Sequence, residues 1–519
     1  MATTMASAAS RRVMTRFFAL PPSIRRSLFT TATSPAKNPE IYDLVCIGGG
    51  PAGLSLISAL RSNASTKDLK IALVDGQDLK TSRTLNDPNA FANRCSSLTP
   101  SSVRFLHETG VWQHINTSRI QPYHSMNVWD GVSGSKIHFD PVDKTGGSIL
   151  DSIAEAIPGS RLRQSRRKYE TERDAATVAT MCENGNLTAA LLQTLSQGGT
   201  GCEVLDKTRV ESIQLGLGPQ DEETLDLSSW PVVSLPGGRS IAARLLVGAD
   251  GANSPVRQFA DIPSHGWDYG QHGVVATLQL DHTFDERDLR TAFQRFLPTG
   301  PIALLPLPGN KASLVWSISA PLAAKLKQLS PEDFATMVNA AFRLMNVDLK
   351  FMLTDSSSNA AEELAWREPN TKASETGLPR YFPRVVSVQE GTVASFPLRM
   401  RHASTYTGHR VALIGDAAHT IHPLAGQGLN LGLADAESLA KRIAVGIELG
   451  MDIGSCWCLD EYNSNRWAAN NAMLGVVDKL QKLYSADSGP VVWGRSLGLD
   501  IVNRLGPLKG ALMGAASSS

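Results

Sequence analysis

Three short stretches of this chain gather residue types suited to holding a phosphorylated cofactor. The first is Gly48-Gly49-Gly50-Pro51-Ala52-Gly53, a G-x-G-x-x-G pattern. Glycine in the first place permits a tight turn, in the second lets backbone approach a pyrophosphate, and in the third lets a helix pack close to a sheet. A helix opened by Pro51 would turn its N-terminus to the negative charge. Asp75 follows 22 residues beyond Gly53, placed to accept hydrogen bonds from a ribose. The second stretch, Gly248-Ala249-Asp250-Gly251-Ala252-Asn253-Ser254-Pro255-Val256-Arg257, sets a carboxylate and a free backbone turn after an apolar run. Alone, it reads equally well as a surface turn. The third is Gly415-Asp416-Ala417-Ala418-His419, then His422-Pro423-Leu424-Ala425-Gly426-Gln427-Gly428-Leu429-Asn430. Here an acid at a strand end suits a polyol, and glycines let backbone N–H groups approach a ring system. A helix expected from about Gly428 points its positive end back at that place. His419 and His422 have no carboxylate or cysteine at metal-ligand spacing, so no metal site is read from them.

Such residues need a scaffold that delivers them to one place. Ile41-Tyr-Asp-Leu-Val-Cys-Ile47 reads as a buried strand, Pro51 to about Arg61 as a helix, and Lys70–Asp75 as a second strand, a βαβ unit. Two later apolar runs, Arg244–Asp250 and Arg410–Asp416, end in the same Gly/Asp turn, which implies one sheet interrupted by insertions. Val274–Leu280 and Ile302–Ser319 read as a second, antiparallel layer. The expected fold is α/β: a Rossmann-like cofactor domain, an inserted substrate domain with a mixed or antiparallel sheet, and C-terminal helices. Residues 39–120, 181–262 and 396–475 are assigned to the first, 121–180 and 263–395 to the second, and 476–519 to a C-terminal helical segment. The stretch 146–180, with Arg161, Arg163, Arg166, Arg167 and Lys168, reads as a solvated loop, and 354–379 as an irregular surface insertion.

A content of 42% hydrophobic and 19% charged residues excludes a disordered or fibrous chain. The first 39 residues hold no Asp or Glu but carry Arg11, Arg12, Arg16, Arg25 and Arg26, the composition of a mitochondrial transit peptide over 1–36 or of a basic tail. Without those five arginines the 50 Lys+Arg fall below the 49 Asp+Glu, to a balance near −4, which argues against a nucleic-acid partner. Of six cysteines only Cys456 and Cys458 are close, so no zinc site is suggested, and Cys46 reads as a small buried hydrophobe. No uncharged apolar run reaches the roughly 18 residues that would span a bilayer. From Val491 to Leu508 apolar residues alternate with Arg495 and Arg504 and end at Lys509, a segment suited to a membrane interface or to packing on the core.

In their order, the three stretches resemble those of the class A FAD-dependent aromatic-ring hydroxylases. His422–Asn430, with Gly432 and Asp435 after it, and Phe296-Leu-Pro-Thr-Gly-Pro-Ile-Ala-Leu-Leu-Pro-Leu307 are similar to the ubiquinone-biosynthesis hydroxylase branch. The resemblance runs from about Ile41 to Lys509. It implies FAD as cofactor, with Gly48, Gly50 and Gly53 at the pyrophosphate, and Asp75 at the adenosine ribose, where many relatives carry Glu. Arg94 is implied at the phosphate and ribityl region, Asp250 and Gly251 beside the pyrophosphate, and Gly415 and Asp416 at the ribityl chain. Pro423, Gly426, Gln427, Gly428, Leu429 and Asn430 are implied to face the isoalloxazine. No side chain is assignable as a catalytic acid or base, since the flavin, through a C4a-hydroperoxide, carries the chemistry. Phe296, Pro298, Ile302 and Leu304, with Ala303 and Leu305 beside them, are apolar candidates for the substrate pocket, each equally readable as sheet core.

The implied reaction is ring hydroxylation of a polyprenylated phenol or hydroxybenzoate by dioxygen, on the route to ubiquinone. Electrons would come from a nicotinamide cofactor directly or from ferredoxin and its reductase, and the latter is expected of the mitochondrial branch. Other ubiquinone-biosynthesis proteins and the matrix side of the mitochondrial inner membrane are the expected surroundings. An FAD-dependent reductase of isoprenoid chains and a non-catalytic prenyl-binding escort remain open on the same fold. The intact Gly48–Gly53, Asp250 and Asp416 weigh against the escort.

Overall fold

The computed structural model describes residues 39–79, 89–139, 177–197, 201–219, 225–281, 290–355, 359–422 and 426–484. The transit peptide, the basic cluster at 161–168, Pro423 and the apolar segment at 491–508 lie outside the described residues. In chain order, the elements that place the site are β1 (Glu40–Ile47), α1 (Pro51–Ser62), β2 (Ile71–Val74), β3 (Ser240–Gly248), β4 (Ser264–Leu280), β5 (Ile302–Leu307), β6 (Lys311–Ser319), β7 (Ala394–Ala403), β8 (Val411–Leu413), α2 (Gln427–Glu448) and α3 (Cys456–Tyr484).

β1, β2 and β3 are apolar runs buried on both faces, the pattern of a parallel sheet covered by helices. They form one sheet in the spatial order Thr407–Gly408, β8, β3, β1, β2, Cys202–Leu205, parallel from β8 onward. Ile47 lies opposite both Val74 and Gly248, and Gly248 opposite Leu413, so four carboxyl ends finish in one row. α1 buries Leu54, Leu56, Ile57 and Leu60 in the same core, where Cys46 is fully enclosed.

The second sheet runs His419–Thr420, β7, β4, β6, β5, Thr291–Phe296, Ser125–Asp130, Lys136–Phe139. It is mixed, because Thr291–Phe296 pairs parallel to Ser125–Asp130 amid antiparallel neighbours. Helices cover one face around Trp316, Phe334 and Phe342. The expectation of an irregular insertion at 354–379 is corrected. Asn359 caps a helix over Ala360–Arg367, which anchors Leu364 in that core, and a short helix follows at Ala373–Thr376. One buried leucine among alanines and charged residues is too thin a stripe to show as periodicity.

A small sheet of Cys95–Leu98, Ala179–Glu183 and Ile120–Tyr123 touches both larger parts. The link is reinforced at Phe91, whose N–H donates to Gln389 at 2.9 Å and whose carbonyl accepts from it at 3.0 Å. The divisions expected at 395/396 and 475/476 fall inside β7 and α3, which run unbroken through them.

Candidate functional site

The row of strand ends brings the three motif turns together. Gly48, after β1, has φ 112°, and an ideal Cβ there would stand 2.2 Å from the Ala249 carbonyl oxygen that follows β3. A Cβ at Gly53 would stand 2.1 Å from the Gly48 oxygen. The protein's own packing therefore demands both glycines. Gly50 differs, because a Cβ there meets nothing within 4 Å. It borders open space at the start of α1, which has neither a capping side chain nor an acidic residue in its first turn. α2, entered from Gly426 at φ 66°, shares both features. Thr99, Ser254 and Ser330 cap other helices with side-chain oxygens, although the helices at Ala320–Gln328 and Asn346–Thr354 also lack a side-chain cap. Two uncapped N-termini at one edge leave backbone N–H groups for an anion or a polar ring.

Asp75 accepts the Gly49 N–H at 2.5 Å on one oxygen and the Gln77 N–H at 2.7 Å on the other. Arg94 is exposed, with no side-chain partner among the described residues. Its loop is held by the buried Glu183, which takes the Ala92 N–H at 2.6 Å and pairs with Arg119 at 2.5 Å. Asp250 accepts the Val256 N–H at 3.2 Å, while its other oxygen is buried without a partner. Burial raises its pKa. Arg257 donates to the Ala417 carbonyl at 2.7 Å and to that of Ala252 at 2.6 Å, tying the second turn to the third.

In the third turn Asp416 is exposed yet crowded by the buried residues around it. That crowding raises its pKa, with His419 opposing. The six described residues from His419 to Gln427 hold five buried polar atoms without partners among the described residues: His419 Nδ1, Thr420 Oγ1, both ring nitrogens of His422, and Gln427 Oε1. Unspent hydrogen-bonding capacity at that density is unusual in a packed protein and marks a segment completed by something else. Burial depresses the His422 pKa to about 4, so its ring is neutral at physiological pH.

Two expected contributors to the ring site face elsewhere. The Asn430 amide accepts the Thr99 N–H at 3.0 Å and the Ser102 hydroxyl at 2.8 Å, and donates to the Ser97 carbonyl at 2.8 Å. It staples α2 to the small sheet. Leu429 packs on the core of the parallel sheet. Gly426, Gln427 and Gly428 do lie at the start of α2, beside the strand end that carries Asp416.

The residues expected to line the substrate pocket fall on different faces. Ile302 (0% exposed) and Leu304 (2%) point into the helix-covered core, whereas Leu305 and Leu307 face the small sheet against Tyr123 and Met181. Strand side chains alternate, so a wholly apolar run names the strand and not its face. Pro298 is half-buried in the turn before β5. Phe296 stacks on Tyr484 of α3 at 4.0 Å between centroids, in an apolar cluster with Val128 and Val477 that Ile421 joins to the third turn. The Tyr269 and His422 rings meet at a near-right angle with centroids 5.2 Å apart, and Tyr269 donates to Asp478 of α3 at 3.1 Å.

The motif reading named Asp435 only as part of the branch pattern and gave it no role; it is fully buried on α2 and bonded to His419, Arg466, Asn470 and the Gly415 N–H. Its signal was there: a carboxylate on the apolar stripe of a helix, four residues from both Leu431 and Leu439.

The open cradle at Gly50, the uncapped helix starts and the orphaned atoms from Asp250 to Gln427 fit a large, anionic, ring-bearing cofactor. The chain matches the FAD binding domain family over residues 42–476. It is similar to the mitochondrial ubiquinone biosynthesis monooxygenase COQ6 of Saccharomyces cerevisiae, 38% identical over 93% of this chain and 95% of that protein. The Homo sapiens protein of the same name is 35% identical over 93% of this chain and 94% of its own length. Among solved structures, p-nitrophenol 4-monooxygenase PnpA from Pseudomonas putida superposes with a TM-score of 0.58 at 17% identity, covering 92% of this chain and 97% of that one. PqsL from Pseudomonas aeruginosa, a probable FAD-dependent monooxygenase, gives 0.57 at 19%, covering 89% and 100%.

Proposed function

The chain belongs to the FAD-binding family and, within it, to the mitochondrial ubiquinone biosynthesis monooxygenases, and from that premise we propose that it hydroxylates the aromatic ring of a polyprenylated ubiquinone precursor. FAD, when bound, supplies the activation of dioxygen and the transfer of one oxygen atom, the other leaving as water. Everything else is work for the chain's own residues. Gly50 and the start of α1 make room for the pyrophosphate and meet its charge with free N–H groups. Asp75 keeps lone pairs for the ribose, and Arg94 is free to reach the phosphates. Asp416 accepts from the ribityl hydroxyls. The uncapped start of α2 favours negative charge on the reduced ring by roughly 0.3–1 kcal/mol, more when partly buried. The apolar cluster of Val128, Phe296, Ile421 and Tyr484 excludes water beside it.

The observation that carries this reading is the contrast at the first turn: Gly48 and Gly53 are filled by protein, and Gly50 is left open. A mitochondrial location, an electron donor of the ferredoxin class and docking at the inner membrane belong to the same proposal. No helix among the described residues is long and apolar enough to cross a membrane. The test has two arms. Cells lacking the protein accumulate a prenylated precursor short of a ring hydroxyl, and the purified holoenzyme consumes dioxygen when that precursor and an electron source are added. Normal ubiquinone without such a precursor rejects the pathway. Flavin oxidation that leaves the ring unchanged and saturates the isoprenoid chain's double bonds favours a reductase.

A further inference from the structure

The cofactor turn is held from behind by a group that the proposed chemistry does not use. Asp435 is 0% exposed, and its two oxygens face different parts of the molecule. Oδ2 accepts the Gly415 N–H at 3.1 Å and lies 2.6 Å from His419 Nε2. Oδ1 accepts from Arg466 Nε at 2.8 Å and Asn470 Nδ2 at 3.0 Å, both on α3. Burial alone would raise this carboxyl, but His419 and Arg466 hold it at about 2, so it stays charged. A buried charge with a partner removed is strongly destabilising, so this carboxylate fixes its partners' positions rather than sampling others. Gly415 precedes Asp416, and an ideal Cβ on it would stand 3.2 Å from the Ala52 side chain in α1, so the first and third motifs meet at this peptide. The Asp435 bond also commits His419 Nε2 as a donor. That leaves Nδ1, buried and without a partner, with its capacity unspent.

We infer that Asp435 is a positioning residue for FAD binding: Oδ2 sets the Gly415–Asp416 peptide and the His419 ring, while α3 anchors Asp435 through Oδ1. The inference rests on the proposed function, in which this turn holds the ribityl chain. Removing one hydrogen bond to a charged group corresponds to about tenfold to a hundredfold in an equilibrium constant.

The experiment titrates the full-length apoprotein with FAD, following the quenching of flavin fluorescence, and measures the melting temperature of the same apoprotein. Asp435→Asn places an amide among four donors and raises the Kd for FAD by about tenfold to a hundredfold, with an altered visible circular dichroism of the flavin that still binds. Asn470→Ala removes one of the two Oδ1 donors and leaves every Oδ2 bond in place, lowering the melting temperature and raising the Kd clearly less than Asp435→Asn does. A merely structural Asp435 shows the opposite split: Asp435→Asn melts earlier but binds FAD with unchanged affinity, and that result overturns the inference. Equal weakening of FAD by Asn470→Ala and Asp435→Asn also overturns it. If Asp435→Asn does not fold, Asp435→Glu keeps the charge and displaces both oxygens. A clear rise in Kd then supports positioning, and an unchanged Kd refutes it. Asp416→Ala separates the two levels. Should it retain full FAD affinity, the reading of the turn as part of the cofactor site fails and takes the inference with it. Loss of affinity in Asp416→Ala but not in the Asp435 variants condemns the inference alone.

Discussion

The two large sheets are alike at their centres and unlike in where they expose chemistry. In the parallel sheet, Ile47, Val74, Gly248 and Leu413 end in one row, and three of the strands, β1, β3 and β8, run on into turns with open space or unspent polar atoms. In the second sheet the strand ends are incidental. Its residues divide by face, Ile302 and Leu304 toward the helices, Leu305 and Leu307 toward the small sheet. A parallel sheet gathers function at its carboxyl edge, where consecutive residues of a turn act together. An antiparallel sheet spreads function across a face, so sequence neighbours serve opposite masters.

The strongest test of this contrast is Gly53→Ala. Its Cβ falls 2.1 Å from the Gly48 oxygen, a backbone atom that cannot swing away, so the variant is expected to be insoluble or unfolded. A soluble protein with an unchanged melting temperature would break the picture of a loop packed to contact. Leu304→Ala should come next, losing about 2–5 kcal/mol from the helix-covered core while flavin content and KM stay put. A shifted KM at unchanged stability would put that face against substrate after all.

A third effect depends on pH. Burial depresses the His422 pKa from the ordinary 6.5 to about 4, and burial with His419 nearby does the same to His402. The unfolded chain therefore takes up protons near 6.5 that the folded chain refuses until about 4. Their neutral burial costs nothing extra above pH 6.5, and stability falls as pH drops from there toward 4. Urea midpoints measured across that window should decline in the native chain and decline less in His422→Leu. Identical slopes would mean that His422 does not titrate with folding. Gly50→Val has the smallest effect on the fold and the largest on the cofactor: the apoprotein should melt normally and purify colourless, since a side chain there meets open space. Full flavin occupancy in that variant would remove the first turn from the site.

The βαβ unit, the three turns and the row of strand ends were legible because each is written in consecutive residues. Gly48 to Gly53 states its turn, its helix start and its close packing within six positions. The third motif likewise announced a strand end followed by a helix, found at β8 and α2. The direction of a side chain was less legible. Asn430 sits in the most informative motif of the chain, yet its amide is spent on Ser97, Thr99 and Ser102, more than 300 residues away in sequence. The helix at Ala360–Arg367 was hidden for a related reason, since it buries a single leucine in the core and leaves Trp366 exposed, so no apolar stripe marks it.

What the sequence determined by itself was chemistry that acts through local backbone: where glycine must stand, where a helix begins, which carboxylates end strands. The tertiary structure alone decided which face of β5 is core, which side of Asp435 holds the Gly415–Asp416 turn, and that Phe296 stacks on Tyr484. Spacing along the chain encodes geometry over a few residues, where covalent bonds transmit it. Partners far apart in sequence meet only when elements pack, and the energy that selects them lies in the packed interface.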